Sequence, residues 1–244
     1  MAKWGVSIRG VCIKSRWQQV IAALLLSAVA TAGIAADNQL SKKEKEAGWQ
    51  LLFNGKDMSQ WRNFKQLGVN PKWVIDQDSI HLSGGGGGDL LTKQAYKNFE
   101  LTLDWKISRA GNSGIFVLAD ELGPKIYSHA IEVQILDNQR HADNKIDSHL
   151  SGSIYDIQAS PPTSHRVAGE WNNVRIHIYN NSLSVWQNGI LTAEIIVGSE
   201  KWNNLVAESK FSTWTGFAQA SQGHIGLQDH SDPVWFKNIK LREL

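Results

Sequence analysis

The chain has 244 residues, with 25 lysines and arginines against 23 aspartates and glutamates, and no polybasic patch of the kind that binds nucleic acid. A single cysteine, Cys12, excludes a disulfide framework, so the fold must be held by its core alone. Four of the 25 basic residues (Lys3, Arg9, Lys14 and Arg16) precede the first acidic one at Asp37, which leaves 21 basic against 23 acidic groups from there on, a net charge near −2.

Those four cations form a basic start, Val20 to Ala30 is an apolar run, and small residues from Ala32 to Ala36 offer a cleavage site after Ala35 or Ala36. The pattern predicts a secretory signal over residues 1–36 and a periplasmic or secreted product. The apolar run is shorter than the roughly 20 residues a membrane span needs, so no stable insertion is expected after cleavage, with an uncleaved anchor as the alternative. Cys12 lies ahead of that run, where a lipoprotein cysteine would follow it. Residues 37–47 are polar and read as a tether or short helix, and residues 48–244 as one domain. A chain of that size buries roughly 70% of its unfolded surface.

Within the domain, Trp49, Leu51 and Phe53 alternate, Asn54-Gly55 marks a turn, and Trp73–Ile75 and Ser79–Leu82 suggest short strands. Five glycines, Gly84 to Gly88, lack the Lys-Ser/Thr ending or following helix of a phosphate loop; they predict a backbone passing close to something. Phe99–Ile107 alternates over a full strand, Ala110–Gly114 reads as a tight turn, and Ile115–Leu118 as a central strand. In Ala130–Asn138, Ile131, Val133 and Ile135 share one face and Glu132, Gln134 and Leu136 the other. Gly152–Asp156 is expected to form another strand, ended by Ser160-Pro161-Pro162. Val174, Ile176 and Ile178, the Asn180-Asn181 turn, Leu183–Trp186 and the Asn188-Gly189 turn describe a meander. Residues 200–210 suggest one short helix and 213–222 a loop; two strand-like segments close the chain. About ten short strands predict an all-β, two-sheet antiparallel sandwich.

The candidate site starts from a carboxylate and an amide side by side on one strand. Tyr127 and His129 precede that strand, and a polar loop with His141, Asp143, Asn144, Asp147 and His149 follows it. Near the C-terminus His224, Gly226, Gln228 and His230 likewise share a face, while Ile225 and Leu227 take the other. Two such strands side by side on a curved sheet would gather Glu132, Gln134, Gln228 and His230 around one hollow. A retaining glycosidase needs two carboxyl groups about 5 to 5.5 Å apart. The position two after Glu132 is Gln134, and Asp137 is five on and starts on the opposite face. A lone carboxylate beside histidines and amides suits proton abstraction better. Competing readings are a non-catalytic carbohydrate-binding module, with Trp61, Trp73, Trp202 and Trp214 in or near loops, and a standard glycosidase on unmodified sugars.

The segments GWQLLFNGKDMSQW, DLLTKQAYKNFELTLDWKISRAGNSGIF, EVQILDN, GSIYD, GEWNNVRI with WQNG, ESKF and GHIGLQDHSDPVWFKNIKLREL resemble the 3-keto-disaccharide hydrolase domain family, over about Gly48 to Leu244. The resemblance implies a concanavalin-like jelly roll and cleavage of glycosides already oxidised to a ketone at carbon 3, some members eliminating across carbons 1 and 2 and others hydrating the enone-type sugar. On that chemistry Glu132 or His230 is the base, with the other as acid toward the leaving oxygen. Gln134, Gln228 and Asn112 orient the sugar or hold the enolate oxygen, with Asp137, Tyr155 and Lys210 as further substrate-binding candidates. A divalent cation at Glu132, Asp137 and His230 is a further option, although their spacing is no recognised metal motif. The family's Gly-Pro pair before the Glu-x-Gln strand is replaced here by Ser128-His129-Ala130, which puts His129 in the pocket or leaves it in a loop.

Overall fold

The computed structural model describes residues 1–5 and 36–244, and the expected leader lies almost wholly outside the described residues. In chain order the strands are β1 (Gln50–Leu51), β2 (Trp61–Asn63), β3 (Trp73–Asp76), β4 (Ser79–Leu82), β5 (Leu90–Thr92), β6 (Phe99–Ile107) and β7 (Asn112–Ala119). They continue with β8 (Ile131–Leu136), β9 (Asn172–Tyr179), β10 (Ser182–Gln187), β11 (Ile190–Ile196), β12 (His224–Leu227) and β13 (Val234–Glu243). Among the described residues the α-helices are α1 (Lys42–Glu46) and α2 (Glu200–Glu208), both short.

The strands pair antiparallel into two sheets, as the alternating pattern predicts. The larger runs β11-β10-β9-β6-β13-β4-β3, with β1 also on β13; the smaller runs β2-β5-β12-β7-β8. Period-two alternation drives the packing: Phe99, Leu101, Leu103, Trp105 and Ile107 of β6 bury one face of the large sheet, while Ile131, Val133 and Ile135 of β8 enter the same core from the small one. Trp61, Trp73 and Trp202 are core residues, each at most 4% exposed, so three of the four tryptophans proposed as glycan platforms are structural. The indole N–H groups of Trp61 and Trp73 donate to the carbonyls of Leu52 and Gly88, both at 2.7 Å.

Several local expectations shift. Asn112 to Gly114 belong to β7, so the predicted turn is confined to the residues before them. Gly152–Asp156 does not run as a strand; it crosses the free edge of β8, where Gln134 N–H donates to Ser153 (3.0 Å) and Gly152 and Tyr155 N–H donate to Gln134 and Glu132 (both 2.9 Å). A looped backbone thus covers an edge that would otherwise present unpaired groups. The 37–47 tether is docked: Ser41 and Glu44 form a capping box on α1, and Asn38 and Asn238 exchange hydrogen bonds at 2.6 and 2.8 Å. Beyond α2, Phe211 stacks on Phe217 at 3.8 Å and Phe217 on Trp202 at 6.1 Å, which fixes the turn carrying Lys210 and Trp214. Among the described residues no helix is long and apolar enough to cross a membrane.

Candidate active site

The outer face of the small sheet carries a cleft of about 550 Å³, and seven of the eight predicted site residues line it: Asn112, Glu132, Gln134, Tyr155, Lys210, Gln228 and His230. The two polar strands are not neighbours, because β7 lies between β12 and β8. What lets them act together is Gly114, opposite Gln134 in the register. A Cβ at Gly114 would overlap the Glu132 carboxylate, so the missing side chain is the bed across which Glu132 lies. The Gly114 carbonyl accepts from Gln228 N–H at 3.0 Å and ties the segment just past the end of β12 to the same point, so Gln228 and His230 follow that strand rather than belonging to it.

Glu132 is 8% exposed. Burial pushes its carboxyl up to about 8; Lys210 opposes the rise, Asp89 adds to it, and the Gln228 amide beside it opposes it again. The Lys210 ammonium sits 4.0 Å from the centre of the Tyr155 ring, and its pKa is lowered by burial in spite of Glu132, Asp156 and Asp143. Tyr155 stacks on His149 at 4.3 Å and donates its hydroxyl to Asp143 at 3.1 Å. His149 in turn is fixed at both nitrogens, by Asp143 at 2.8 Å and Asp156 at 3.1 Å. Burial first, then Asp143, raises the Tyr155 phenol, which stays neutral and donating. Two acceptors on the floor, Asn112 Oδ1 and Gln228 Oε1, have no protein partner although their residues are only 4% and 7% exposed. Buried oxygens of this kind call for donors, and sugar hydroxyls are donors.

A second acid, missed by the sequence reading, also lines the cleft. Asp89 is pushed up to about 6 by burial, with Asp229 N–H donating to it at 2.9 Å and the Asp229 carboxylate nearby. The five-glycine run explains this arrangement: the N–H groups of Gly87 and Gly88 both donate to Asp229, at 2.7 and 2.8 Å. The something that the backbone approaches is therefore a carboxylate of the protein itself. The signal available was the Gly88-Asp89 junction, which needed the partner Asp229 to be interpreted.

Asp137 does not belong to the site. It is buried below the turn between β6 and β7, accepting from the N–H groups of Ala110 (2.8 Å) and Gln139 (3.1 Å), so it is a turn pin. The predicted cation set of Glu132, Asp137 and His230 is consequently not assembled. His230 instead meets His141 and Asp232 at the rim, with one ligand atom of each within 4.8 Å of the others. This His–His–carboxylate set has donors of the kind a divalent transition metal takes. Against it, His141 Nδ1 accepts the Asp143 N–H at 3.1 Å, which puts the proton of neutral His141 on Nε2 and leaves no ready lone pair there. His129 lies outside the cleft, bound to Asp120, and His224 is turned to the Gln94 carbonyl. Tyr127 and Trp214 complete the cleft wall.

A two-sheet sandwich with a polar cleft on the outer face of one sheet, floored by a carboxylic acid of raised pKa, a desolvated ammonium and unpaired amide oxygens, has the parts that a glycoside-cleaving enzyme needs. Residues 48–242 match the 3-keto-alpha-glucoside-1,2-lyase-like domain family, and the chain belongs to it. A 3-keto-disaccharide hydrolase of Bacteroides thetaiotaomicron is 36% identical over 228 residues, covering 81% of this chain and 79% of the relative. Among solved structures, a Parabacteroides distasonis protein provisionally described as a glycosyl hydrolase superposes with a TM-score of 0.80 at 29% identity, covering 86% of this chain and all of the other. Another from the same organism, with the same provisional description, gives a TM-score of 0.56 at 27% identity over 81% of this chain and 84% of its own.

Proposed function

We propose that the protein cleaves 3-keto-glycosides, 3-keto-disaccharides among them, by elimination across carbons 1 and 2 followed by hydration, a net hydrolysis. The observation that carries the reading is Glu132: a carboxyl raised to about 8, beside the Lys210 ammonium, on a floor whose amide oxygens lack protein donors. A ketone at carbon 3 acidifies the proton on carbon 2, and Glu132 as carboxylate removes it. The electron pair moves onto the ketone oxygen, and Lys210 stabilises the resulting enolate. Collapse of the enolate breaks the bond from carbon 1 to the leaving oxygen, to which Asp89 gives a proton. Water then adds at carbon 1 and gives its proton to the Asp89 carboxylate, while Glu132, its proton exchanged with solvent in the open cleft, protonates carbon 2. Asn112 Oδ1 and Gln228 Oε1 accept sugar hydroxyls and Gln134 frames the ring, while His230 stays at the rim and takes no proton-transfer step.

This division of labour differs from a twin-carboxylate glycosidase in needing an oxidised substrate. Incubation with a 3-keto-disaccharide and with the same disaccharide unoxidised tests it: only the oxidised sugar is cleaved. Release of monosaccharide from the unoxidised one would overturn the reading in favour of ordinary glycoside hydrolysis. The basic start, apolar run and small residues of the leader support export to the periplasm or beyond after cleavage near Ala35 or Ala36, and an oxidised sugar is the partner met there.

A further inference from the structure

Beside the cleft lies a second depression of about 380 Å³, whose lining includes Tyr127, His129, Thr213, Trp214 and Thr215. Lys125, Tyr127 and Trp214 line both hollows, so the two form one groove with an aromatic pair at the joint, its rings 6.0 Å apart and tilted by 39°. The second hollow is built in advance. His129 Nδ1 contacts both Asp120 carboxylate oxygens, at 2.9 and 3.1 Å, and its carbonyl accepts the Ala218 N–H at 2.7 Å. Gly123 and Gly216 press on its ring so closely that a Cβ at either would overlap it. With the Nδ1 proton given to Asp120, Nε2 is left as an acceptor. Trp214 is held edge-on by Phe211 at 5.1 Å, and its backbone N–H donates to the Phe211 carbonyl at 2.8 Å.

We propose that this depression is the leaving-group subsite and takes the second pyranose ring of a 3-keto-disaccharide. The C–H face of that ring lies on Trp214 and Tyr127, and its hydroxyls meet His129 Nε2, Thr213 and Thr215. The direction follows from the lining: Asp89, the acid assigned to the leaving oxygen, shares the first hollow with Lys125, and Lys125 continues into the wall of the second. The inference rests on the 3-keto-glycoside reading above and adds where the departing sugar sits.

The test compares kcat/KM for a 3-keto-disaccharide and for a methyl 3-keto-glucoside, which has no second ring, in the wild type, Thr215→Trp and His129→Gln. Thr215 is exposed, so its replacement fills the hollow without touching the core, even where loss of His129 unfolds the loop. The expected result is a fall of roughly tenfold or more in the disaccharide-to-methyl-glycoside ratio in Thr215→Trp, with a smaller fall in His129→Gln. If the wild type turns over both substrates and the Thr215→Trp ratio stays as in the wild type, the subsite is wrong and the reaction stands. If the wild type turns over neither, the reaction is wrong and the subsite falls with it.

Discussion

Glu100 and Glu132 are both strand glutamates with almost all of their surface removed from water, at 4% and 8% exposed, and they end with opposite acidities. Burial is the strongest influence on each and pushes both upward. At Glu100, on β6 of the large sheet, Arg175 and Arg242 outweigh burial and hold the carboxyl below its ordinary value; Arg242 Nε donates at 2.8 Å. Glu132, on β8 of the small sheet, has no guanidinium, only Lys210, which is itself partly desolvated, and so burial prevails. The first carboxylate is a fastening; the second has the raised pKa that the proposed proton abstraction uses.

The contrast breaks most sharply under matched substitutions. Glu132→Gln is expected to lower turnover of a 3-keto-glycoside by about a thousandfold, whereas Glu100→Gln retains turnover and costs about 1 kcal/mol of stability, modest because both arginines are partly exposed. Steady-state kinetics and denaturant melts on the two variants check this; equal loss of activity in both would erase the distinction. Lys210→Met is expected to lower kcat by about a hundredfold and, by removing the cation that holds Glu132 down, to move its titration to still higher pH.

A smaller effect concerns the shape of the pH profile. With Glu132 titrating at about 8 and Asp89 at about 6, wild-type kcat/KM should rise to a plateau between those values and fall above about 8. Asp89→Asn removes the acid, so the residual activity should keep rising with pH and then level off. A bell surviving in that variant would assign the proton donor elsewhere. The smallest effect is on stability. Because the folded pKa of Glu132 is raised, the stability it gives is whole below its ordinary value of 4.5 and is lost as pH climbs through about 8. Glu100 has the opposite sign: its contribution is present above 4.5 and lost as pH falls through its lowered folded value. Between pH 5 and pH 9, therefore, the melting temperature of the wild type should drop further than that of Glu132→Gln.

The same pair marks how far the sequence could be read. Alternation alone puts Phe99 and Leu101 inside with Glu100 outside, and Ile131 and Val133 inside with Glu132 outside, and both sheets follow from it. It also gathers Glu132, Gln134, Gln228 and His230 on one side. Strand order is not legible: nothing local says that β7 runs between β8 and β12, so from sequence Gly114 reads only as the end of a turn. Asp89 is hidden in the sequence because its pKa is raised first by burial, which only the fold creates, and its partner Asp229 is 140 residues away; Asp137 reads as a substrate or metal ligand because a turn-capping carboxylate and a ligand-binding one look alike until their partners are known. Gly152–Asp156 failed for a related reason: its backbone bonds to a strand edge without continuing as a strand.

In the proposed mechanism Glu132 removes the proton on carbon 2 before the glycosidic bond breaks. Turnover of a 3-keto-glucoside in deuterated water reads that step directly, by mass spectrometry or NMR of the released 3-keto sugar. Deuterium at carbon 2 in the wild type, and no exchange at that carbon in Glu132→Gln, is the predicted result. A cleaved product that keeps its original hydrogen at carbon 2 would contradict the account.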